Sequence, residues 1–186
     1  MTMYVVVGYE SMYGNTHRVA NAIAAGFSVD DEVVVTPIAQ VDISARMPDV
    51  LVVGVPTHAH GLPRPSSRRT ALDSASSRYA RHQIDPSAAV DTGAREWLAT
   101  LPARVPCLVA VYDTRFRPPG WLVGHPARRI ARLLFGRGAR LLTRPESFFV
   151  DKHEDLRGNE LERARVWGMQ LRRQAAVTIG SVVSGR

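Results

Sequence analysis

Cysteine is almost absent from this chain: Cys107 is the only one among 186 residues. One thiol excludes an internal disulfide, and its setting in the apolar run PCLVAVY makes it a small buried hydrophobe rather than a redox group. Long apolar stretches are missing too. None approaches the roughly 18 residues of a membrane span, and the opening MTMYVVVGYE has no basic segment followed by a long apolar one. A cytoplasmic protein without a membrane partner is the expectation. Lysine is represented by Lys152 alone, so the formal charge of +7 rests on arginine, a bias that GC-rich coding produces by itself. The arginines read as scattered groups: Arg64, Arg68 and Arg69, then Arg78 and Arg81, then Arg128, Arg129 and Arg132, then Arg172 and Arg173. Such groups suit solvated faces better than a nucleic-acid track, and an acidic protein is the partner this charge favours.

What is present points to one domain over residues 1–186, since the length and a hydrophobic share of 45% suit a single full core. Short β-branched runs alternate with segments of helical period. MYVVVGY (3–9), EVVVTPI (32–38), DVLVVGVP (49–56) and VPCLVAVYD (105–113) are predicted strands, and ARLLTRPESFFVD (139–151) is a fifth, interrupted around Pro145. Valines through the centre of the first predict burial on both faces, as in a parallel sheet.

Val19, Ile23 and Phe27 recur four apart as one helical stripe, with Gly26 as a stop signal. Leu122, Ala127, Ile130, Leu133 and Leu134 form a second stripe opposite Arg128, Arg129 and Arg132. Leu161, Ala164, Gly168, Leu171 and Ala175 form a third, with Glu160 and Glu162 near a helix start that favours negative charge. The stretch 62–93, rich in Ser, Arg and Pro, is long for a connection; it predicts a short helix around 67–81, before another at 94–101, and a lid or an oligomer contact. Five strands interleaved with helices predict an α/β fold, a three-layer doubly wound five-stranded parallel sheet. Ligands of such sheets bind at the carboxyl ends of the strands, where the strand order reverses.

The segment YESMYGNTHRVANAIAAGF (9–27) leaves the first strand and enters a helix at once. A helix start exposes unpaired backbone N–H groups and a partial positive charge, so the loop feeding it suits a phosphate. Ser11 and Thr16 bring hydroxyls, Asn15 an amide, and Gly14 lets the backbone approach closely. No lysine or arginine lies in the loop, and its spacing matches neither the GxxxxGK[ST] nor the GxGxxG pattern, which favours a monoester phosphate. The plainer reading is that these residues only cap the helix.

The pattern Y-E-S-M-Y-G-N-T-H-R-V-A-N-A-I resembles the phosphate-loop signature of flavodoxins, with Tyr9, Ser11, Gly14, Thr16, Ala20 and Ile23 in register and Gly8 where a larger apolar residue is usual. The resemblance implies a flavodoxin-like fold in which Ser11, Met12, Tyr13, Gly14, Asn15 and Thr16 wrap the phosphate of FMN; a phosphorylated deazaflavin meets the same requirements. PTHAHG (56–61) is similar to the loop that flavodoxin-like NAD(P)H:quinone reductases place against the isoalloxazine ring, implying ring contacts from Pro56, Thr57, His58, Ala59, His60 and Gly61. Asp113, Thr114 and Arg115 are expected near the ring, where the Arg115 charge would favour an anionic reduced flavin. Phe116 and Trp121 are candidates to stack on it.

His58 and His60 lie two apart and face one side of an extended segment, but His82, His125 and His153 supply no third ligand at a matching spacing, so no metal is expected. Three functions follow. The first is a flavodoxin-like electron carrier that exchanges electrons with a redox partner protein or small acceptor. The second is an FMN-dependent oxidoreductase that takes NAD(P)H and reduces a quinone-type acceptor. The third is a flavin-free binding protein with a basic docking surface.

Overall fold

The computed structural model describes residues 1–57, 62–75, 83–116, 125–151, 153 and 155–184, the side chains of 75 and 182–184 excepted. Five strands run as β1 (Tyr4–Tyr9), β2 (Glu32–Pro37), β3 (Val50–Pro56), β4 (Leu108–Phe116) and β5 (Arg140–Leu141), followed by β6 (Glu146–Val150). The helices are α1 (Asn15–Ala24), α2 (Pro65–Ala75), α3 (Ala94–Thr100), α4 (Pro126–Phe135) and α5 (Glu160–Ser184).

All strand pairs are parallel, in the order β2-β1-β3-β4-β5, and β6 also pairs with β4. The interruption expected around Pro145 is real. It splits the fifth strand into two pieces that both lie along β4: Leu108 and Val109 pair with β5, and Tyr112 to Phe116 pair with β6. The second piece draws β4 onward, so Thr114, Arg115 and Phe116, expected in a loop, are strand residues. The chain leaves β1 for the β2 edge and returns through β3 on the other side, which puts the order reversal beside the end of β1.

Alternation along the strands builds two cores. Val5, Val7, Val50, Val52, Ala110 and Tyr112 face α1 and α5, while Val6, Leu51, Val53, Val109 and Val111 face α3 and α4. In α1, Val19, Ile23 and the following Phe27 are buried as the stripe predicted. In α4, Ala127, Ile130 and Leu134 are buried, but Leu133 points to solvent at 38% exposure, since it falls beside Arg132 on the outer face. Leu122 of that stripe lies outside the described residues. In α5, Trp167 joins the predicted face and packs edge-on against Tyr112 and Phe148.

Gly26 is not merely a stop signal. A Cβ there would sit 2.2 Å from the Arg165 carbonyl oxygen, and one on Gly168 would sit 2.1 Å from the Ile23 carbonyl oxygen. The two glycines let α1 and α5 touch backbone to backbone. Gly8 has an equally local reason, because Ile38 and Val41 fill the space its side chain would take. Cys107 is buried, which pushes its thiol up to about 11 and leaves it protonated near neutral pH. Among the described residues, no helix is long and apolar enough to cross a membrane and no three His, Cys, Asp or Glu cluster as metal ligands would.

Candidate functional site

The loop after β1 turns sharply because Gly14 stands at φ 83°, a left-handed conformation open chiefly to glycine. Gly14 is itself the N-cap of α1, and its carbonyl accepts the first helical bond from Arg18 N–H at 2.9 Å. No side chain caps the helix. The capping role that Ser11, Asn15 and Thr16 could have taken is therefore not what they do. Ser11 Oγ accepts from Gly14 N–H at 3.1 Å, tightening the turn, and Thr16 Oγ1 lies 2.7 Å from Thr114 Oγ1, tying the loop to β4. That pair spends one hydroxyl hydrogen internally and leaves the other to donate elsewhere. Tyr112 Oη donates to the Thr16 carbonyl at 2.9 Å and fixes the first turn of α1 on the sheet.

A cavity of about 510 Å³ opens on this loop, a size typical of small-molecule sites. Ser11, Met12, Tyr13, Asn15 and Thr16 line it from the loop, Pro56 and Thr57 from the end of β3, and Thr114, Arg115 and Phe116 from β4. Of the remaining expected residues, Gly14 shapes the turn without lining the cavity. Asp113 points the other way: its carboxylate is buried, accepts from Ala127 N–H at 3.4 Å and lies 3.6 Å from Arg115 Nε. Burial raises its pKa despite Ser147 and Arg115. His58, Ala59, His60 and Gly61, and Trp121, lie outside the described residues.

Three contributions escaped the sequence reading. First, α2 turns Ser67, Thr70, Ala71 and Ser74 toward the cavity, the i, i+3, i+4, i+7 face of a helix. That spacing of hydroxyls was the available signal. Tyr13 Oη donates to the Ala71 carbonyl at 3.1 Å and holds this wall against the loop. Second, Arg68, counted above among solvated arginines, is 0% exposed. Its Nε donates to Glu10 Oε1 at 2.7 Å, its Nη2 to Glu96 Oε2 at 2.7 Å, and its Nη1 to the Val90 carbonyl at 2.9 Å. The other Glu10 oxygen accepts from Ala94 N–H at 2.8 Å. Glu10 immediately precedes Ser11, so this buried network fixes the start of the loop to α2 and α3.

Third, the segment after residue 82 lies along the loop. Asp85 N–H donates to the Met12 carbonyl at 2.8 Å, and its carboxylate meets the His17 ring at 3.1 Å and Ser87. His17 stacks on Tyr9 at 4.3 Å between ring centres. Burial alone would raise the Asp85 carboxyl, but the Ser87 hydroxyl and N–H together with His17 outweigh it and hold the group below its ordinary value. A carboxylate held low adds stability that is full above its unfolded pKa, about 3.9, and is lost as pH falls through the lower folded value. Acidification from about pH 4 downward is therefore expected to free this strap, and Asp85→Asn to remove that share of the acid sensitivity, as read from melting temperature against pH.

The fit to a flavin mononucleotide is favourable on this geometry. The loop offers a left-handed glycine turn, hydroxyls and a helix start for the phosphate, and no carboxylate lines the described cavity wall. Arg115 is the one charged side chain among its described lining residues. Thr57 Oγ1 is buried with no hydrogen-bond partner among the described residues, so a polar atom on the cavity wall is left for a ligand to satisfy.

The sequence model of the family described as "Flavodoxin" matches residues 7–82, which hold the loop and α2. Comparison with curated proteins finds no match. Among solved structures, the chain is similar to a flavodoxin from the domain Archaea, with 16% identity, a TM-score of 0.61, and 94% of this chain and 99% of that one covered. It is similar to flavodoxin 2 from Bacillus cereus, with 17% identity, a TM-score of 0.61 and coverage of 92% and 99%. A third similar structure is the flavodoxin, WrbA-like protein from Agrobacterium tumefaciens, at 18% identity, TM-score 0.54, and coverage of 94% and 98%. At such identities the likeness speaks for the fold, and the loop speaks through the family match. The chain therefore has a flavodoxin-like fold, and its residues 7–82 are similar to the flavodoxin family.

Proposed function

We propose that this protein binds FMN without a covalent bond and serves in electron transfer. The observation that carries the reading is the cavity opening directly on the first turn of α1, lined by hydroxyls and free of carboxylates among its described residues. The bound flavin supplies the redox chemistry, and the chain positions it and biases its charge state. Ser11, Thr16 and the start of α1 hold the phosphate with neutral donors. Thr57 and Thr114 offer polar atoms at the strand ends. Arg115 brings the positive charge, and His125, which accepts from Arg115 at 2.8 Å, keeps that guanidinium turned toward the start of α4.

The test separates phosphate from ring. Hydrogen bonds to charged groups contribute about 1.5–3 kcal/mol, so Thr16→Val is expected to weaken FMN binding about 10- to 100-fold. Riboflavin, which lacks the phosphate, should lose little. Titration of flavin fluorescence measures both; FMN and riboflavin binding equally well to the unaltered protein would sink the phosphate assignment, and absence of saturable quenching would sink the flavin. Rapid anaerobic bleaching of the loaded protein by NAD(P)H, with recovery on adding a quinone, would instead assign it to the reductases.

A further inference from the structure

Arginine looks dispersed along the chain only while carboxylates are ignored. From residue 114 to residue 145 there are eight arginines and no Asp or Glu, and outside that stretch 16 basic residues face 17 acidic ones. The whole net positive charge therefore belongs to one continuous piece, the end of β4 through α4 and β5 to the start of β6.

Its described part presents a distinct surface. α4 buries Ala127, Ile130, Ala131 and Leu134 and turns Arg128, Arg129 and Arg132 outward. None of these three forms an ion pair among the described residues, whereas Arg46, Arg163, Arg165 and Arg172 each meet a carboxylate within 2.5–2.9 Å. At the far end of α4, Phe135 is 65% exposed beside the half-exposed Leu133. The near end adjoins the cavity, because His125, the N-cap of α4, contacts the cavity-lining Arg115. Burial first, and then Arg115 and Arg128, hold the His125 ring below its ordinary pKa, so it stays neutral inside this positive field.

Like charges without counter-charges repel one another and gain only when a partner brings the opposite sign. Guanidinium groups pair with carboxylates in a planar, two-pronged manner, and an exposed aromatic beside arginines is the composition of the centre of a protein interface. A ten-residue helix spans about 15 Å. That length suits the small contact areas of transient redox encounters better than the extended track of phosphates a nucleic acid offers.

We propose that the outer face of α4, formed by Arg128, Arg129, Arg132 and Phe135, is the docking surface for an acidic protein that exchanges electrons with this one. The purpose of the contact rests on the flavin reading above; the contact itself rests on charge.

The FMN-loaded, full-length protein is mixed with a reduced, strongly acidic two-iron ferredoxin as the probe, and flavin bleaching is followed by stopped flow. Electrostatically steered association gains about 10- to 1,000-fold and falls with salt. The rate constant is therefore expected to drop at least about tenfold from 50 to 300 mM salt, and to drop as far at low salt in R128E/R129E/R132E. Reduction by methyl viologen radical, which carries no negative surface, and the affinity for FMN should be unchanged in that variant, and an unaltered melting temperature shows that it folds. Phe135→Ser should slow the reaction at either salt. A ferredoxin rate indifferent to salt and to the triple reversal overturns the proposal. So does tighter binding to phosphatidylserine vesicles or to an RNA duplex that the triple reversal abolishes while the ferredoxin rate persists. Should the purified chain take up no flavin, the electron-transfer reading fails. The docking surface is then decided separately by calorimetric titration of the flavin-free chain and its variant with the same ferredoxin, where equal binding by both overturns it.

Discussion

Gly168→Ala is expected to destabilise this protein by about 3 kcal/mol or more, the scale of severe overpacking, and to lower its melting temperature by several degrees. The sign is what makes the result informative. Gly168 lies in the middle of α5, where alanine ordinarily stabilises a helix by about 1 kcal/mol over glycine. Here the added methyl group would stand 2.1 Å from the Ile23 carbonyl oxygen and 3.0 Å from its carbonyl carbon, both backbone atoms of α1. No rotamer change relieves a clash with backbone. α5 must move off α1, and the contacts of Val19, Ile23, Trp167 and Leu171 between the helices and the sheet open with it. Gly26→Ala should behave alike, since its methyl group would stand 2.2 Å from the Arg165 carbonyl oxygen. Thermal melts of the two variants give the answer; a Gly168→Ala variant as stable as the parent, or more so, would mean that the helices do not meet in this way.

The second large effect is expected at Arg68. Arg68→Met removes the cation that faces Glu10 and leaves a carboxylate that is 6% exposed without its ion-pair partner. Breaking one side of a buried pair costs about 3–5 kcal/mol, while replacing both sides by uncharged groups is often close to neutral. Glu10→Gln combined with Arg68→Met should therefore recover much of the stability that Arg68→Met alone loses, a coupling that a double-mutant cycle measures. Because Glu10 precedes Ser11 and also accepts from Ala94 N–H, the single variant should lose FMN affinity as well, and the double variant should regain part of it. Purely additive losses would show that the ion pair is not the unit that fixes the loop.

These two sites mark where the sequence stops being readable. The strands are legible because Val5 to Val7 and Val50 to Val53 are buried on both faces, and short valine-rich apolar runs have few other uses. The break at Pro145 is legible because proline cannot donate to a ladder. The turn of the candidate site is legible through Ser11, Gly14 and Thr16, which sit in one short local stretch. Arg68 is not: it lies in a segment of serines, arginines and prolines whose composition suits solvent, and only Glu10 and Glu96, distant in sequence, make its burial tolerable. The hydroxyl wall of α2 needs the helix phase, and the helix expected from composition starts two residues late. The pairing of Gly26 with Gly168 is a contact between elements at opposite ends of the described fold, and each glycine alone carries no sign of it. The concentration of charge is in the sequence throughout, hidden while arginines are counted without the acids between them.

The close contact of α1 with α5 also orders events in time. The loop that would grip an anion is synthesised well before α5, yet the helix that bears it has its apolar stripe uncovered until Trp167 and Leu171 have left the ribosome and settled on it. A growing chain thus carries this loop long before it carries a firm backing for it, and any anion the loop is proposed to hold would wait for α5 to dock.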